Sequence, residues 1–154
     1  IDQYGKPFDQ NRMDDKIRVV DFFFTSCPSI CPTVQAQMLK IQETFAGNEQ
    51  LILLSHTIDP KRDTVEKLRH YAHNLGVDLG SNWYFLTGEK DEIYSLADDY
   101  FNIVVEDESA PGGFDHTGRI VLVDENGYIR SYANGLNLAG VDTLITDIKQ
   151  LLDH

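Results

Sequence analysis

The chain has 154 residues, of which 42% are hydrophobic and 25% charged. That is the composition of an ordinary globular protein, long enough to bury a core without staples. It excludes a disordered chain, a collagen-like repeat and a coiled coil, and no apolar run reaches the roughly 18 residues a membrane span needs. Thirteen Lys and Arg against twenty-five Asp and Glu give a net charge of −12. Such a surface repels phosphate backbones, so nucleic acid is not an expected partner, whereas cations and basic protein faces are drawn to it.

The sequence reads as one domain over 1–154, with no repeat, linker or low-complexity tract. No signal peptide opens at Ile1, so any targeting segment is expected to have been removed or never present. Residues Ile1 to Asp15 are polar, with Gly5 and Pro7, and form a hairpin or extended lead-in. Ile17 to Phe24 is a continuous apolar run, the pattern of a strand buried on both faces. From Pro32 to Phe45, Val34, Met38, Leu39, Ile41 and Phe45 recur at helical spacing, with Pro32 in the first turn and Gly47-Asn48 as the stop. Leu51 to Ile58 is a second buried strand. Asp63 is placed to cap a helix, with Glu66 three residues on, that runs to about Leu75 and stops at Gly76. Trp83 to Leu86 is a third strand. Lys90 to Tyr100 is a helix with Ile93, Leu96 and Ala97 inward, and Ile103 to Val105 is a short strand. Ile120 to Asp124 and Tyr128 to Ala133 flank Glu125-Asn126-Gly127, a hairpin signal. The last helix spans Val141 to Leu152.

The early alternation of strands and helices implies parallel strands with crossover helices, and the late hairpin adds antiparallel ones. The expected architecture is α/β. It has a central mixed sheet flanked by helices, an N-terminal extension and a C-terminal hairpin, and the thioredoxin-like fold is its compact form. Sites in such sheets form beyond the carboxyl ends of the parallel strands. CPSICP sits there after the first strand and SHTIDPKRDT after the second.

Cys27 and Cys31 are the only cysteines. Their sulfurs lie near a helix N-terminus, whose partial positive charge favours thiolates. A structural disulfide, a redox pair and a soft-metal site are all open to them. The spacing is one residue longer than the usual redox C-x-x-C, the His of a haem-attachment motif is absent, and two thiolates are half a zinc site. Of the five histidines, His154 is terminal, and His70 and His73 lie on what reads as a solvated helix face. His56, near the end of the second strand, either approaches CPSICP or caps the sheet. His116 follows the Gly-rich APGGFD and is read as beginning the strand that leads into the hairpin. In a thioredoxin-like sheet that position faces the cysteine motif. Its alternative is a core histidine bonded to backbone.

FFFTSCPSICP, IDPKRDT and FDHTGRIVLVDENG, in this order and covering nearly the whole chain, resemble the Sco/SenC family of copper-binding proteins. The resemblance implies a thioredoxin-like fold and copper bound through Cys27, Cys31 and His116. It also implies a role in assembling the dinuclear copper site of cytochrome c oxidase. Two thiolates suit Cu(I), an imidazole makes Cu(II) accessible, and three ligands leave a position open for transfer. Asp59 and Asp115 are candidates to tune the site from behind its ligands. Asp59 with Pro60 also reads as a turn start, and Arg62 and Asp63 as fixing that loop. The segment from Glu106 to Gly113 is expected to be mobile without copper and to order on binding.

The expected function is a copper metallochaperone acting on the oxidase's copper-site subunit. Its expected partners include a copper donor or a thiol reductant protein. The full-length protein is expected to be a monomer outside the cytoplasm, anchored to the membrane by a segment absent here. The alternative is a thiol–disulfide oxidoreductase that reduces the acceptor's cysteines, and it needs only Cys27 and Cys31. His116 favours copper, because a soft-metal ligand stands where a reductase would want proline.

Overall fold

The computed structural model describes residues 1–8, 10–25, 30–77, 82–99, 104–106, 114–116, 119–135 and 137–153, with the backbone alone at 10, 30–32, 104–106 and 114–116. After a short 3-10 turn at Gln10–Met13 come β1 (Ile17–Phe23), α1 (Ile30–Thr44), β2 (Leu51–Thr57), α2 (Val65–Asn74), β3 (Trp83–Leu86) and α3 (Lys90–Asp99). Four strands follow: β4 (Val104–Glu106), β5 (Phe114–His116), β6 (Arg119–Val123) and β7 (Ile129–Asn134); α4 (Leu138–Leu152) closes the chain.

Five strands form one mixed sheet in the order β3-β2-β1-β6-β7, while β4 and β5 pair separately. β1 runs parallel to β2 and antiparallel to β6, and β2 runs parallel to β3. The position of β1 explains its composition. A central strand packed on both faces has no polar side, so all seven of its residues are buried. The expected α/β architecture, a mixed sheet flanked by helices, is the one observed.

The pleat assigns the helices to faces, because alternate residues of a strand point to opposite sides. Asp21, Ser55 and Phe85 share one side by register. On that side Gln35 of α1 donates to Asp21, Tyr71 of α2 packs on Phe23 and Phe85, and Ser131 of β7 donates to Asp147 of α4. Lys40 and Asp142 link α1 to α4 at 2.7 Å. α3 covers the other side, where Ile93 and Leu96 face Leu54, His56 and Leu86 across a cavity of about 680 Å³.

The lead-in shields the β3 edge, which would otherwise offer unpaired backbone groups to another chain. The Gln3 side chain behaves like a piece of strand: its amide donates to the Trp83 carbonyl and its oxygen accepts from Phe85 N–H at 3.1 Å. Ile1 and Thr87 exchange two further bonds. Arg12 locks this arrangement, reaching Asp2 at 3.0 Å and lying over the Phe8 and Tyr84 rings. No helix among the described residues is long and apolar enough to cross a membrane.

Several boundaries differ from the sequence reading. α1 starts at Ile30 rather than Pro32, which places Cys31 inside the helix; Pro32 is tolerated there because first-turn N–H groups have no intrahelical partner. Thr64, not Asp63, caps α2, its hydroxyl accepting from Lys67 N–H. α4 begins three residues early, capped by Asn137 onto Gly140 N–H. His116 does not begin the hairpin strand. It ends β5, opposite Val104, and the hairpin strand starts at Arg119. Cys27, Ile103, residues 107–113 and His154 lie outside the described residues, and with them most of the segment expected to order on copper binding.

Two buried carboxylates make stability depend on acid. Burial alone would raise Asp2, but the Lys6 N–H, Arg12 and the Tyr4 N–H hold its pKa below the ordinary 3.8. Asp124 is lowered too, its burial outweighed by Tyr128 N–H, Arg130 and Asn126 N–H. A carboxylate depressed in the folded state contributes stability above its unfolded pKa and loses it as pH falls through the folded one. Asp2→Asn and Asp124→Asn should each lose about 1–3 kcal/mol at neutral pH in urea unfolding. Each should also flatten the decline of stability below about pH 4; an unchanged acid limb in both would refute this account.

Candidate metal centre

The site is built where β1 and β2 end. The Ile58 N–H donates to the Phe23 carbonyl at 2.8 Å and carries the pairing one step past both strands. Beyond it the chain turns: the Asp59 carbonyl accepts from Arg62 N–H and from Asp63 N–H at 2.9 Å. This turn buries the Asp63 side chain, 1% exposed. Its carboxylate accepts from the Thr25 N–H at 3.0 Å, from the Thr25 hydroxyl, and from the Thr57 hydroxyl at 2.6 Å. Asp63 therefore ties the loop after β2 to Thr25, two residues before Cys27. It fixes the loop, as read from sequence, but does so as a tertiary acceptor rather than a helix cap.

A second anchor fixes the far side of the cysteine segment. Gln35 lies one turn beyond Cys31 in α1, and its amide donates to the buried Asp21 carboxylate at 2.6 Å. Ser55 donates to the same carboxylate, and Trp83 Nε1 donates to Ser55 Oγ at 2.9 Å. β1 carries two buried charged residues, Arg18 and Asp21, and the partners of Asp21 were not legible in the sequence. Cys31 is the second residue of α1, at the end where backbone N–H groups are unpaired and the helix dipole favours a thiolate.

Asp59, 6% exposed, carries a buried Oδ2 with no hydrogen-bond partner among the described residues; its ion pair with Arg62, at 3.8 Å, is too long for a hydrogen bond. Burial and the Asp63 charge raise its pKa, with Arg62 acting against them. The buried Tyr94 hydroxyl of α3 also has no hydrogen-bond partner among the described residues, and burial together with the Asp59 charge raises its pKa.

The histidines separate by face. His56 stacks on Phe22 at 5.2 Å and lines the α3-side cavity, on the opposite face of β2 from Thr57. Its packing on Phe22 is observed, while its distance to CPSICP lies outside what the described residues show. His70 and His73 are exposed on α2. His116 and Asp115 are placed by backbone alone, in β5 opposite Val104 and Val105. Among the described residues, no three His, Cys, Asp or Glu form a metal-sized cluster. Cys27 lies outside them, and Cys31 and His116 are described by backbone.

A mixed sheet with a helix launched from a cysteine motif at the end of its central strand defines the thioredoxin-like class. The family model described as SCO1/SenC matches residues 1–153, and the chain belongs to that family. It is 35% identical over 138 residues to a SCO2-like protein of Rickettsia typhi, covering 86% of this chain and 66% of that protein. It is 30% identical over 149 residues to the SCO1 homolog of Bacillus subtilis, covering 96% and 77%. The chain spans 62–66% of the length of the Rickettsia relatives it matches.

Among solved structures it is similar to a SCO1/SenC family lipoprotein of Bacillus anthracis, with TM-score 0.87, 29% identity, and coverage of 98% and 90% of the two chains. BsSco, described as a member of the Sco family of cytochrome c oxidase assembly proteins with a disulfide switch, matches at TM-score 0.80 and 29% identity over 96% and 87%. Yeast Sco1 with copper bound matches at TM-score 0.72 and 25% identity over 96% and 84%.

Two predictions follow from the geometry. Asp63→Asn keeps the shape but halves the acceptor oxygens facing three donors. It should cost about 1–3 kcal/mol in urea unfolding and weaken copper binding relative to wild type; unchanged values in both would show that the tie is dispensable. His56 is pushed down to about 4 by burial and, secondarily, by the Ile1 amino group. Because its unfolded pKa is 6.5, the unfolded state takes up the proton first as pH falls. Stability should decline between pH 6.5 and about 4, by on the order of 3 kcal/mol. His56→Phe should remove that decline, and an equally steep profile in the variant would contradict the assignment.

Proposed function

We propose that the protein is a copper metallochaperone. It binds one copper ion through Cys27, Cys31 and His116 and delivers it to the dinuclear copper site of cytochrome c oxidase. The observation that carries this reading is the position of Cys31, in the first turn of a helix launched from the central strand of a chain that belongs to the SCO1/SenC family. The solved relatives supply the functional context: one holds copper, and one is described by its family's part in oxidase assembly.

The donor set suits the task. Two thiolates satisfy Cu(I), and an imidazole admits Cu(II). Three protein ligands leave the ion open to a ligand from an acceptor, so copper can pass between proteins without being released to water. Thiolates are also a pH- and redox-dependent donor set, because a disulfide offers no ligand. The protein acts outside the cytoplasm beside a membrane, as the lipoprotein relative and mitochondrial relatives suggest.

A second reading rests on the disulfide switch of BsSco: the same two sulfurs reduce the acceptor's cysteines before another protein loads the metal. His116 discriminates, since thiol exchange has no need of it.

Titration of the reduced protein should show one copper per chain, with Cu(II)–thiolate absorption. Cys27→Ser and Cys31→Ser should each abolish tight binding. His116→Ala should reduce Cu(II) affinity at least tenfold, a loss of about 1.4 kcal/mol, and spare much of the Cu(I) affinity. Unchanged Cu(II) affinity and spectrum in His116→Ala would remove the third ligand. Ready disulfide exchange without copper uptake would select the reductase.

A further inference from the structure

The chain carries a net charge of −12, yet four of its thirteen Lys and Arg fall within residues 61–74 beside only two acids, Asp63 and Glu66. Asp63 is buried and engaged by Thr25 and Thr57, and Arg62 faces Asp59. That leaves Lys61, Lys67 and Arg69, all exposed and without an ion-pair partner within 4 Å among the described residues, with the exposed His70 and His73 alongside. Glu66 is the one exposed acid on this stretch. Lys67, Arg69, His70 and His73 line an open cavity of about 990 Å³ together with Glu66, and Thr64 and Thr25 belong to the same lining. Thr25 is two residues from Cys27. The cationic surface therefore extends to Thr25, the last described residue before the cysteine segment.

The rest of the molecule is charged the other way. α3, on the opposite face of the sheet, holds Asp91, Glu92, Asp98 and Asp99 against a single Lys90. This separation makes the α2 stretch locally cationic in an otherwise acidic chain. A partner with an acidic face is repelled from most approaches and attracted at one, so the charge distribution selects orientation and speeds productive encounter.

We propose that the exposed face of α2 is the docking surface for an acidic protein face that brings its own thiols or copper ligands to the cysteine segment. The proposal rests on the functional reading above for what is exchanged there. Exposed charges of this kind act mainly on association rate and are screened by salt. Docking is accordingly fast, reversible and salt-sensitive, as transfer between two proteins requires.

The test separates docking from copper delivery by using thiol exchange. Reduced protein is mixed with a short peptide whose single cysteine carries a 2-thiopyridyl disulfide, flanked either by Glu or by Lys. A protein thiolate attacks the peptide sulfur and displaces 2-thiopyridone, whose absorbance gives the rate. At low ionic strength the Glu peptide should react about tenfold faster than the Lys peptide, with the preference fading at high salt. In the double variant Lys67→Glu, Arg69→Glu the preference should vanish or invert, while copper uptake from small-molecule complexes stays as in wild type. A faster Lys peptide in wild type, which net charge alone would produce, overturns the proposal, and so does an unchanged preference in the variant. Salt-sensitive self-association in sedimentation that the variant loses also overturns it, by making a second copy's acidic α3 the occupant. Failure of wild-type copper uptake would end the delivery reading and leave the peptide preference to decide docking.

Discussion

The carboxylate of Asp63 is the interaction on which the rest of the site depends. A buried carboxylate is costly unless its oxygens are engaged, and here three donors from Thr25 and Thr57 engage them. The same contacts convert two loops into one structure. Thr25 and the turn after β2 cannot move independently, because separating them would strand a charge in the interior. The Asp21–Gln35 bond does the equivalent for α1. Only residues 26–29 separate the last residue held by the first anchor from the start of the helix held by the second. The two anchors thus fix the described backbone on either side of residues 26–29.

The two faces of the sheet are used differently. α1, α2 and α4 share the side on which Asp21, Ser55 and Trp83 form their polar network, and that network links the three parallel strands to the helix bearing Cys31. The opposite side carries α3 and the lead-in around an apolar cavity, with His56 stacked on Phe22. Adjacent residues His56 and Thr57 thus face opposite sides of β2, His56 stacked on Phe22 and Thr57 donating to Asp63. The alternation of a strand makes that possible.

What was legible in the sequence follows from how each element is held. β3 is bounded as read, Trp83 to Leu86, and β1 and β2 each end one residue earlier than read, because a short apolar run between turn residues has few alternative arrangements. Helix starts were less legible, because they are decided by competition. Asp63 has the chemistry of a cap but finds stronger use with Thr25 and Thr57, and Thr64 takes the cap instead. β5 was not legible at all as a separate strand. Three residues cannot show a period, and its ladder partner β4 is equally short. At the site, Cys31 and Asp63 were named from their motifs. Thr25, Thr57 and Gln35 were not, because their roles arise only when segments distant in sequence meet.

The charge of −12 sets a problem that the fold resolves locally. A diffuse negative field opposes thiolate formation and repels acidic partners alike. Fields in salt water decay over about 8 Å, so the groups nearest the cysteine segment outweigh the sum over the whole molecule. The described neighbours of that segment along the chain are the start of α1, whose positive end favours thiolate, and Thr25, which shares a cavity with the cations of α2. The nearest acid on the loop, Asp63, is already committed to the Thr25 N–H and two hydroxyls. Asp59 is buried, and its burial and the Asp63 charge raise its pKa. Concentrating acids on α3 leaves the α2 stretch with more cations than acids in an otherwise acidic chain.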